Sequence, residues 1–216
     1  SPIEGARVPF WRGELKGRDL RTSKAFGQIF HQLQEASEKG ELMQALYRLG
    51  LDDAAAKLAE GYLKRQIAAT EGLPDDKTIL VEHFRDQSGN AQVMIHSLFG
   101  RRVNTPLSLL LQEAARAQTG QNVGCVDEED GILLYSYGQE SLPEGLLFQV
   151  SPETSDAVLE ALLPATPLFH VAFRHNSGWA LMMGVKKNGR LPLWMQRLRS
   201  AEMLDTIVRE KKHPLI

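Results

Sequence analysis

Two arginines that follow a strand-like segment are the residues best placed for chemistry with a polyanion. The stretch from Val93 to Asn104 reads V-M-I-H-S-L-F-G-R-R-V-N. Its first half alternates like a buried strand, Gly100 interrupts it, and Arg101 and Arg102 then lead towards a helix that starts near Thr105. Because such a junction holds cations beside a rigid sheet, we predict that both arginines bind phosphate groups.

Other candidates combine a guanidinium group with an aromatic ring or with a second helix. Trp11 precedes Arg12, and such a tryptophan can stack on a base while the arginine pairs with phosphate. The alternative for Trp11 is that it anchors the N-terminal segment to the core. Arg174 and Arg197 would bind phosphate together if their helices pack against each other.

The other two tryptophans are predicted to be buried. Trp194 belongs to a series with Leu193, Leu198 and Leu204 that suits the buried side of a helix. Trp179 is expected to pack between helices.

A metal site is the enzymatic alternative. Glu82, His83, Asp86 and His96 fall on one predicted hairpin, and a sheet could bring two of them together as metal ligands. Glu82 and His83 are adjacent in an extended segment and point to opposite faces, so only one of them can join a shared site. We therefore expect no metal site, and we expect His96 to bond to the backbone near the turn at Gly100.

The composition is that of a globular domain. With 216 residues, 43% of them hydrophobic, the chain can bury a substantial core as one domain. Cys125 is the only cysteine, which excludes an internal disulfide and a cysteine-rich zinc site and favours a cytoplasmic location. No apolar run reaches the roughly 20 residues that a membrane-spanning helix needs, so a membrane is not an expected partner.

Charge is distributed unevenly along the chain, although the net charge is only −2. No lysine or arginine occurs from Ala117 to Phe173, where there are nine carboxylates, including the run from Asp127 to Asp130. The segment from Val185 to Lys212 holds eight basic and three acidic residues. We interpret the acidic run as a turn, and we expect an acidic back surface, with the flanking cations gathered into one phosphate-binding groove.

Motifs for several reaction classes are absent from the sequence. There is no G-x-x-x-x-G-K-[ST] loop for nucleotide phosphates, no G-x-S-x-G nucleophile and no H-E-x-x-H zinc motif. The chain by itself is therefore not expected to be an ATP motor or a hydrolase, and no catalytic residue is predicted.

Hydrophobic periodicity predicts an α+β fold in three parts of a single domain. Residues 1–72 should be helical, residues 73–150 should form a mainly antiparallel sheet that could close into a barrel, and residues 151–216 should again be helical. The middle part is expected to contain a helix from Pro106 to Ala117 and about five strands, the last of them from Leu146 to Val150.

Three helices are expected in the N-terminal part. The first is capped at Thr22 or Ser23, the second runs from Glu41 to Leu49, and the third has Asp52 or Asp53 as its cap. The core-facing stripe of the third helix should consist of Leu58, Tyr62, Leu63 and Ile67.

Six segments of the sequence occur in a recognisable order: P-F-W-R-G-E (residues 9–14), L-P-D-D-K-T-I-L-V-E-H-F-R-D (73–86), I-H-S-L-F-G-R-R-V-N (95–104), D-G-I (130–132), F-R-H-N (173–176) and P-L-W-M-Q-R-L-R (192–199). Together they resemble the large helicase-related (Lhr) family of superfamily 2 helicases, in the C-terminal part of the core that is described as a DEAD/DEAH-box-associated domain. They span nearly the whole chain. The sequence departs from the family at Leu98, where a proline is usual, and at the pair His175-Asn176, where a glutamate-asparagine pair is usual, so that the second difference lies in His175.

The resemblance implies that this chain is one part of an ATP-dependent helicase. In that family, two motor domains and a winged-helix domain lie upstream, use ATP and Mg²⁺, and move 3′ to 5′ along single-stranded DNA to unwind duplexes, including RNA:DNA hybrids, in a role linked to DNA repair. The C-terminal domain lines the path of the strand, and Trp11 is the candidate for its stacking residue. The implied partners are single-stranded DNA or an RNA:DNA hybrid and the other domains of the same polypeptide, and no cofactor is implied for this part.

We therefore predict a nucleic-acid-binding accessory domain. Its strand-binding residues are predicted to be Trp11, Arg12, Arg101, Arg102, Arg174 and Arg197. Two alternatives stay open: a structural scaffold or protein-interaction module without strand contact, and a metal-dependent nuclease that uses Glu82 or Asp86 with His96.

Overall fold

Helices precede and follow a central antiparallel sheet in the computed structural model, which describes residues 17–136, 141–183 and 191–210. The predicted α+β class is thereby confirmed. The chain divides into two compact units, one formed by Glu14–Pro152 and the other by Ser1–Gly13 together with Glu153–Ile216. Each unit is built around its own set of packed elements.

Three helices open the larger unit: α1 (Leu20–Glu38), α2 (Leu42–Arg48) and α3 (Asp53–Thr70). The Asp19 side chain caps α1 by accepting a hydrogen bond from the Thr22 backbone N–H, and Asp52 caps α3 in the same way through Ala55. The core between these helices includes Leu33, Leu42, Leu46, Ala56, Leu63 and Leu73.

The predicted core stripe of α3 is partly wrong. Leu63 is buried, but Leu58 and Tyr62 are 75% and 61% exposed. The buried side of the helix is instead centred on Ala56 and Leu63, and Leu58 lies about 200° around the helix from Ala56. The cap of α1 is also earlier than predicted, at Asp19.

A close approach between α1 and the loop before the sheet is made possible by Gly27. A Cβ atom at Gly27 would lie 2.5 Å from the Asp76 backbone nitrogen, so α1 can rest on this loop only with glycine there. The neighbouring Asp75 is buried, and its carboxylate accepts hydrogen bonds from the Lys77 and Thr78 N–H groups and bonds to His31 Nδ1 at 2.8 Å. The L-P-D-D-K-T segment thus has a structural role in this fold.

Four antiparallel strands form the sheet in the order β1-β2-β4-β3. The strands are β1 (Leu80–Arg85), β2 (Ala91–His96), β3 (Val123–Glu128) and β4 (Gly131–Ser136). The predicted hairpin is formed by β1 and β2, and its turn is held by the Asp86 carboxylate, which accepts from the Ser88 and Asn90 N–H groups.

The sheet remains open within the described residues, with β1 and β3 at its edges, so they do not form the barrel that the sequence could have allowed. The predicted strand from Leu146 to Val150 is instead a 3₁₀ helix, Leu146–Gln149. Gly145, with φ +70°, turns the chain into it. A short apolar run does not distinguish a strand from a helical turn, and this is the reason for the error.

One face of the sheet is covered by α4 (Arg101–Thr119). The core between them contains fully buried side chains from the helix and from the two central strands: Val93, Ile95, Leu111, Ala115, Ile132 and Leu134. This helix begins five residues before Pro106, which lies inside it. The predicted start near Thr105 was therefore wrong, and the reason is a cap supplied from a distant turn, as described below.

The smaller unit is helical: α5 (Pro152–Leu162), a short 3₁₀ helix (Leu163–Ala165), α6 (Pro167–Trp179) and α7 (Leu193–Glu210). The last two pack against each other and bury Phe173, Ser177, Ser200 and Leu204. Among the described helices, none is by itself long and apolar enough to cross a membrane. Pro152–Ala165 and Pro167–Trp179 together meet the length and composition criteria but are bent by 73°.

Candidate nucleic-acid interface

The segment between β2 and α4 folds onto the tight turn that joins β3 to β4. The Ser97 backbone N–H donates to the Asp130 carbonyl at 3.2 Å, and the Gly100 N–H donates to the Glu129 carbonyl at 3.1 Å. Gly100 has φ +83°, and a Cβ atom there would lie 2.8 Å from the hydroxyl oxygen of Ser23 on α1. Only glycine meets both the conformation and the space at this junction.

Asn104 fixes the start of α4 to the same turn. Its side chain is fully buried, and its Nδ2 donates to the carbonyl groups of Ser97 at 2.9 Å and Glu128 at 2.9 Å. Its Oδ1 accepts a hydrogen bond from the Ser97 hydroxyl at 2.7 Å. The first turn of α4 is therefore held rigidly, because a buried amide with these partners has one favourable position.

A carboxylate from the β3–β4 turn caps α4. Glu129 Oε2 accepts from the backbone N–H groups of Arg101 at 3.0 Å and Arg18 at 3.1 Å. Burial by itself would raise the pKa of Glu129, but these two hydrogen bonds and the charges of the two arginines outweigh it, and the pKa is lowered from its usual value. An anionic Glu129 is the group that an exposed helix N-terminus favours.

The guanidinium group of Arg101 is turned towards the acidic turn. It forms an ion pair with the Glu128 carboxylate, and its Nε lies 3.8 Å from Asp127 Oδ2. Its side chain is 17% exposed. Asp127 also accepts a hydrogen bond from the Thr105 hydroxyl at 2.6 Å. Arg101 is thus engaged by carboxylates of its own chain.

Arg18 makes a second set of bonds to the same turn. Its guanidinium group donates to the carbonyl oxygens of Leu98 and Glu129 and to Asp130 Oδ1, at 3.1, 3.0 and 2.6 Å. It also lies over the Phe26 ring, 4.9 Å from the centroid. Sequence reasoning missed Arg18, because nothing in the local pattern reveals partners about a hundred residues away.

The predicted separation of an acidic back surface from the cations is wrong at this place. The run from Asp127 to Asp130 ends β3 and forms the turn, as predicted for a turn, but its carboxylates pair with Arg18 and Arg101. We name this set of residues the arginine–turn network: Arg18, Arg101, Asp127, Glu128, Glu129 and Asp130. It stabilises the junction and leaves Arg102 as the neighbouring cation that faces solvent.

Within the described part of the chain, the other predicted strand-binding residues differ from Arg101 in their exposure and in their lack of ion pairs. Arg102 and Arg197 are exposed, Arg174 is half-buried, and none of the three forms an ion pair with a residue that the structure describes. The joint role predicted for Arg174 and Arg197 requires that their helices pack against each other, and α6 and α7 do so. Trp11 and Arg12 lie outside the described residues, as does the basic segment 186–190.

The tryptophans of the smaller unit are exposed, against the prediction that they are buried. Trp179, at the end of α6, is 83% exposed, and Trp194, in the first turn of α7, is 63% exposed. Leu193 and Leu198 are exposed as well, and of the predicted series only Leu204 is buried. The core side of α7 instead carries Ser200 and Leu204, since a small residue allows α6 and α7 to approach closely.

The histidine on β2 bonds to a carboxylate rather than to the backbone. His96 Nε2 makes a hydrogen bond with Glu82 Oε2 across the β1–β2 pair, so the predicted bond from His96 to the backbone was wrong. The two side chains lie on the same face, diagonally across the register that pairs Glu82 with Met94. In the part of the chain that the structure describes, no group of three or more potential metal ligands is found.

The family is decided by a comparison with known proteins. The family model described as "DEAD/H associated" matches residues 73–216, more than half of the chain. The chain belongs to the DEAD/H-associated family. In this domain, the matched region contains the sheet, α4, the acidic turn and the helices of the smaller unit.

Relatives of the DEAD/H-associated domain are much longer proteins. "Lhr helicase/ probable uracil glycosylase" of Mycolicibacterium smegmatis is 30% identical over 218 residues, which cover 100% of this chain and 14% of that protein. "Lhr helicase/uracil glycosylase" of Escherichia coli is 29% identical, covering 95% and 13%. "ATP-dependent helicase Lhr-Core" of Sulfolobus acidocaldarius is 24% identical, covering 97% and 25%. The chain thus spans a quarter or less of these three relatives.

A solved structure shows the same fold. It is described as "Structure of Mycobacterium smegmatis helicase Lhr bound to ssDNA and AMP-PNP", and it matches with a TM-score of 0.75 and 29% identity over 94% of this chain and 26% of that chain. The resemblance to the Lhr family predicted from the sequence is confirmed.

Proposed function

We propose that this DEAD/H-associated domain binds the tracked single strand as an accessory part of an ATP-dependent 3′–5′ helicase that acts in DNA repair. The main support is the likeness to an Lhr helicase whose solved structure is bound to ssDNA, which extends over 94% of this chain. The strand would be single-stranded DNA or the DNA of an RNA:DNA hybrid. The proposal places the protein in the cytoplasm and leaves ATP and Mg²⁺ to motor domains of the same polypeptide.

The proposed contacts are the cations that the protein's own carboxylates leave available. Arg102 sits on the first turn of α4, which Asn104 and Glu129 hold in place, so its phosphate contact would cost little ordering of the backbone. Arg174 and Arg197 belong to helices that pack together. Trp11 and Arg12 keep the roles predicted for them from the sequence.

Arg101 is expected to contribute less to strand binding than its neighbour Arg102. Its guanidinium group already pairs with Glu128, and Asp127 lies close to it. A phosphate would have to displace these carboxylates or add to their negative charge, which weakens the attraction. The two adjacent arginines therefore have different roles: Arg101 stabilises the junction between β2 and α4, and Arg102 binds the strand.

The test compares these two arginines in the full-length helicase. Affinity for a labelled oligo-dT strand is measured by fluorescence anisotropy over a range of salt concentrations. For Arg102→Ala we expect weaker binding and a slope of log affinity against log salt that is shallower by about 0.7, the value for one lost phosphate contact on a single strand. For Arg101→Ala we expect a smaller loss of affinity with a lower melting temperature.

Arg48→Ala is the matched control, because Arg48 is an exposed arginine at the end of α2. Its affinity and salt slope should equal those of the unmodified helicase. A second set of titrations with an RNA:DNA hybrid carrying a single-stranded DNA end tests the range of substrates. If none of the proposed residues, Trp11 included, changes affinity or slope, the domain is a scaffold without strand contact and the proposal is wrong.

A further inference from the structure

The first turn of α7 presents a large aromatic ring to solvent. Trp194 is 63% exposed, although tryptophan is among the side chains that gain most from burial. Burial in α7 is confined to the opposite side of the helix, at Ser200 and Leu204. The exposure of Trp194 therefore follows from the way α7 packs against α6.

A cation lies on the same face of α7 as this ring. Arg197 follows Trp194 by three residues and Leu198 follows it by four, and these spacings make side chains neighbours on a helix surface. Arg197 is exposed, and Leu198 is 53% exposed. The face thus combines a flat aromatic surface, a guanidinium group and an apolar border.

The surroundings of this face in the sequence contain one carboxylate, Glu202, which follows Leu198 by four residues at the C-terminal border of the face. No aspartate or glutamate occurs between Pro167 and Ala201, a stretch that includes all of α6 and the first half of α7. The described arginines of this stretch are Arg174, Arg197 and Arg199. A mainly positive surface attracts a polyanion, whereas the centre of a surface that docks another protein is commonly depleted of charge.

We infer that Trp194 stacks on a base of a single-stranded nucleic acid while Arg197 pairs with a phosphate of the same strand. Stacking tolerates every base because each has a π-face, which suits a protein that moves along a strand of any sequence. The inference rests on the proposed function and adds to it a binding site on α7. It also explains why a tryptophan that the sequence places on a core-like stripe is left in solvent.

The experiment uses the full-length helicase and a labelled oligo-dT strand. Trp194→Ala should weaken binding roughly 5- to 150-fold, the range that corresponds to the loss of one stacked base. Trp194→Phe should retain most of the affinity, because phenylalanine keeps a ring that can stack. Arg197→Ala should make the salt dependence of binding shallower, whereas Trp194→Ala should leave its slope nearly unchanged.

Phe148→Ala is the matched control. Phe148 is 93% exposed, lies on the 3₁₀ helix of the larger unit and belongs to the acidic middle of the chain, so its loss should not change strand affinity. Melting temperature and ATP hydrolysis without nucleic acid are measured for each variant to show that it is folded. The melting temperature of Trp194→Ala should equal that of the unmodified helicase.

Four outcomes would overturn the inference. If Trp194→Ala binds as the unmodified helicase does, the stacking site is wrong while the proposed function stands. If alanine and phenylalanine at this position weaken binding equally, or if basal ATP hydrolysis and melting temperature fall with affinity, Trp194 packs against another domain of the helicase. If the unmodified helicase does not bind the strand at all, the proposed function fails first and the inference fails with it.

Discussion

Ser97 and Asn104 bind each other through two hydrogen bonds in the interior of the DEAD/H-associated domain. The Ser97 hydroxyl donates to Asn104 Oδ1 at 2.7 Å, and Asn104 Nδ2 donates to the Ser97 carbonyl at 2.9 Å. Both residues are fully buried. Since Nδ2 also reaches the Glu128 carbonyl, one amide group joins the end of β2, the start of α4 and the end of β3.

Replacing Asn104 with alanine should destabilise the domain by about 2–4 kcal/mol, because several buried polar groups would lose their partner. Chemical denaturation of the 216-residue chain gives the free energy of unfolding. Asn122→Ala is the control, since Asn122 is exposed in the loop before β3, and its effect should stay within about 0.5 kcal/mol. An Asn104→Ala protein as stable as the control would show that the buried pair contributes little.

Gly100→Ala should destabilise the domain more than Gly89→Ala does. Both glycines have φ +83°, which strains an alanine by about 1–3 kcal/mol, and at Gly100 the ψ of 163° lies in a region that is open essentially only to glycine. Only at Gly100 would the added Cβ approach other atoms, at 2.8 Å from Ser23 Oγ, whereas none lies within 4 Å at Gly89. The difference between the two unfolding free energies therefore combines the backbone strain at Gly100 with the close contact between α1 and the start of α4, and equal values would contradict both.

Two helical glycines should respond to alanine with opposite signs. Gly61 on α3 has only the end of the Arg65 side chain within 4 Å, so Gly61→Ala should stabilise the domain by about 0.5–1 kcal/mol. At Gly27 on α1, the new Cβ would lie 2.5 Å from the Asp76 backbone, so Gly27→Ala should destabilise it by about 1–3 kcal/mol. Thermal melts of the two variants test this, and stabilisation in both would show that the loop can move away from α1.

The stabilisation contributed by Glu129 should disappear in acid. Because its folded-state pKa is lowered below the usual 4.5, its contribution is present above that value and is lost as pH falls through the lower folded pKa. At neutral pH, Glu129→Gln should cost about 1–2 kcal/mol through weaker hydrogen bonds to the Arg18 and Arg101 N–H groups. The difference in unfolding free energy between the unmodified chain and Glu129→Gln should become smaller as pH falls below 4.5.

Denaturation curves at a series of pH values measure the difference in unfolding free energy between the unmodified chain and Glu129→Gln. Glu144→Gln serves as the control, since Glu144 is an exposed carboxylate in the loop before the 3₁₀ helix, and it should follow the unmodified chain at every pH. Asp75, whose pKa is also lowered, is present in all three proteins and cancels in the comparison. If the difference in unfolding free energy stayed constant from neutral to acid pH, the role of Glu129 as an ionised cap would be contradicted.

Local sequence signals were sufficient to predict the position of an element where nearby residues determine its ends. The β1–β2 hairpin was predicted because Asp86 and its neighbours have strong turn preferences, and its Asp86 carboxylate does bond within the turn. The predicted second helix agrees with α2, and the predicted cap at Asp52 agrees with the cap of α3. In each case the stabilising contact lies within a few residues along the chain.

The errors concern contacts between distant parts of the sequence. The start of α4 depends on Glu129, which follows Arg101 by 28 residues, so no local pattern could place it before Pro106. Charge counting along the chain placed Arg101 and the acidic turn on separate surfaces, although folding pairs them. Trp194 lies on an apolar stripe in the sequence, and only the packing of α6 on α7 shows that the stripe is turned away from the core.

The position of Arg18 has a consequence for the order of events when the chain folds. Its guanidinium group donates to the Leu98 carbonyl, 80 residues later in the chain, and to Asp130 Oδ1, 112 residues later. Closing so long a loop is entropically costly until the sheet and its turn exist, so we expect these bonds to form after the rate-limiting step. Loss of Arg18 would then shorten the lifetime of the folded domain while leaving the speed of refolding almost unaltered.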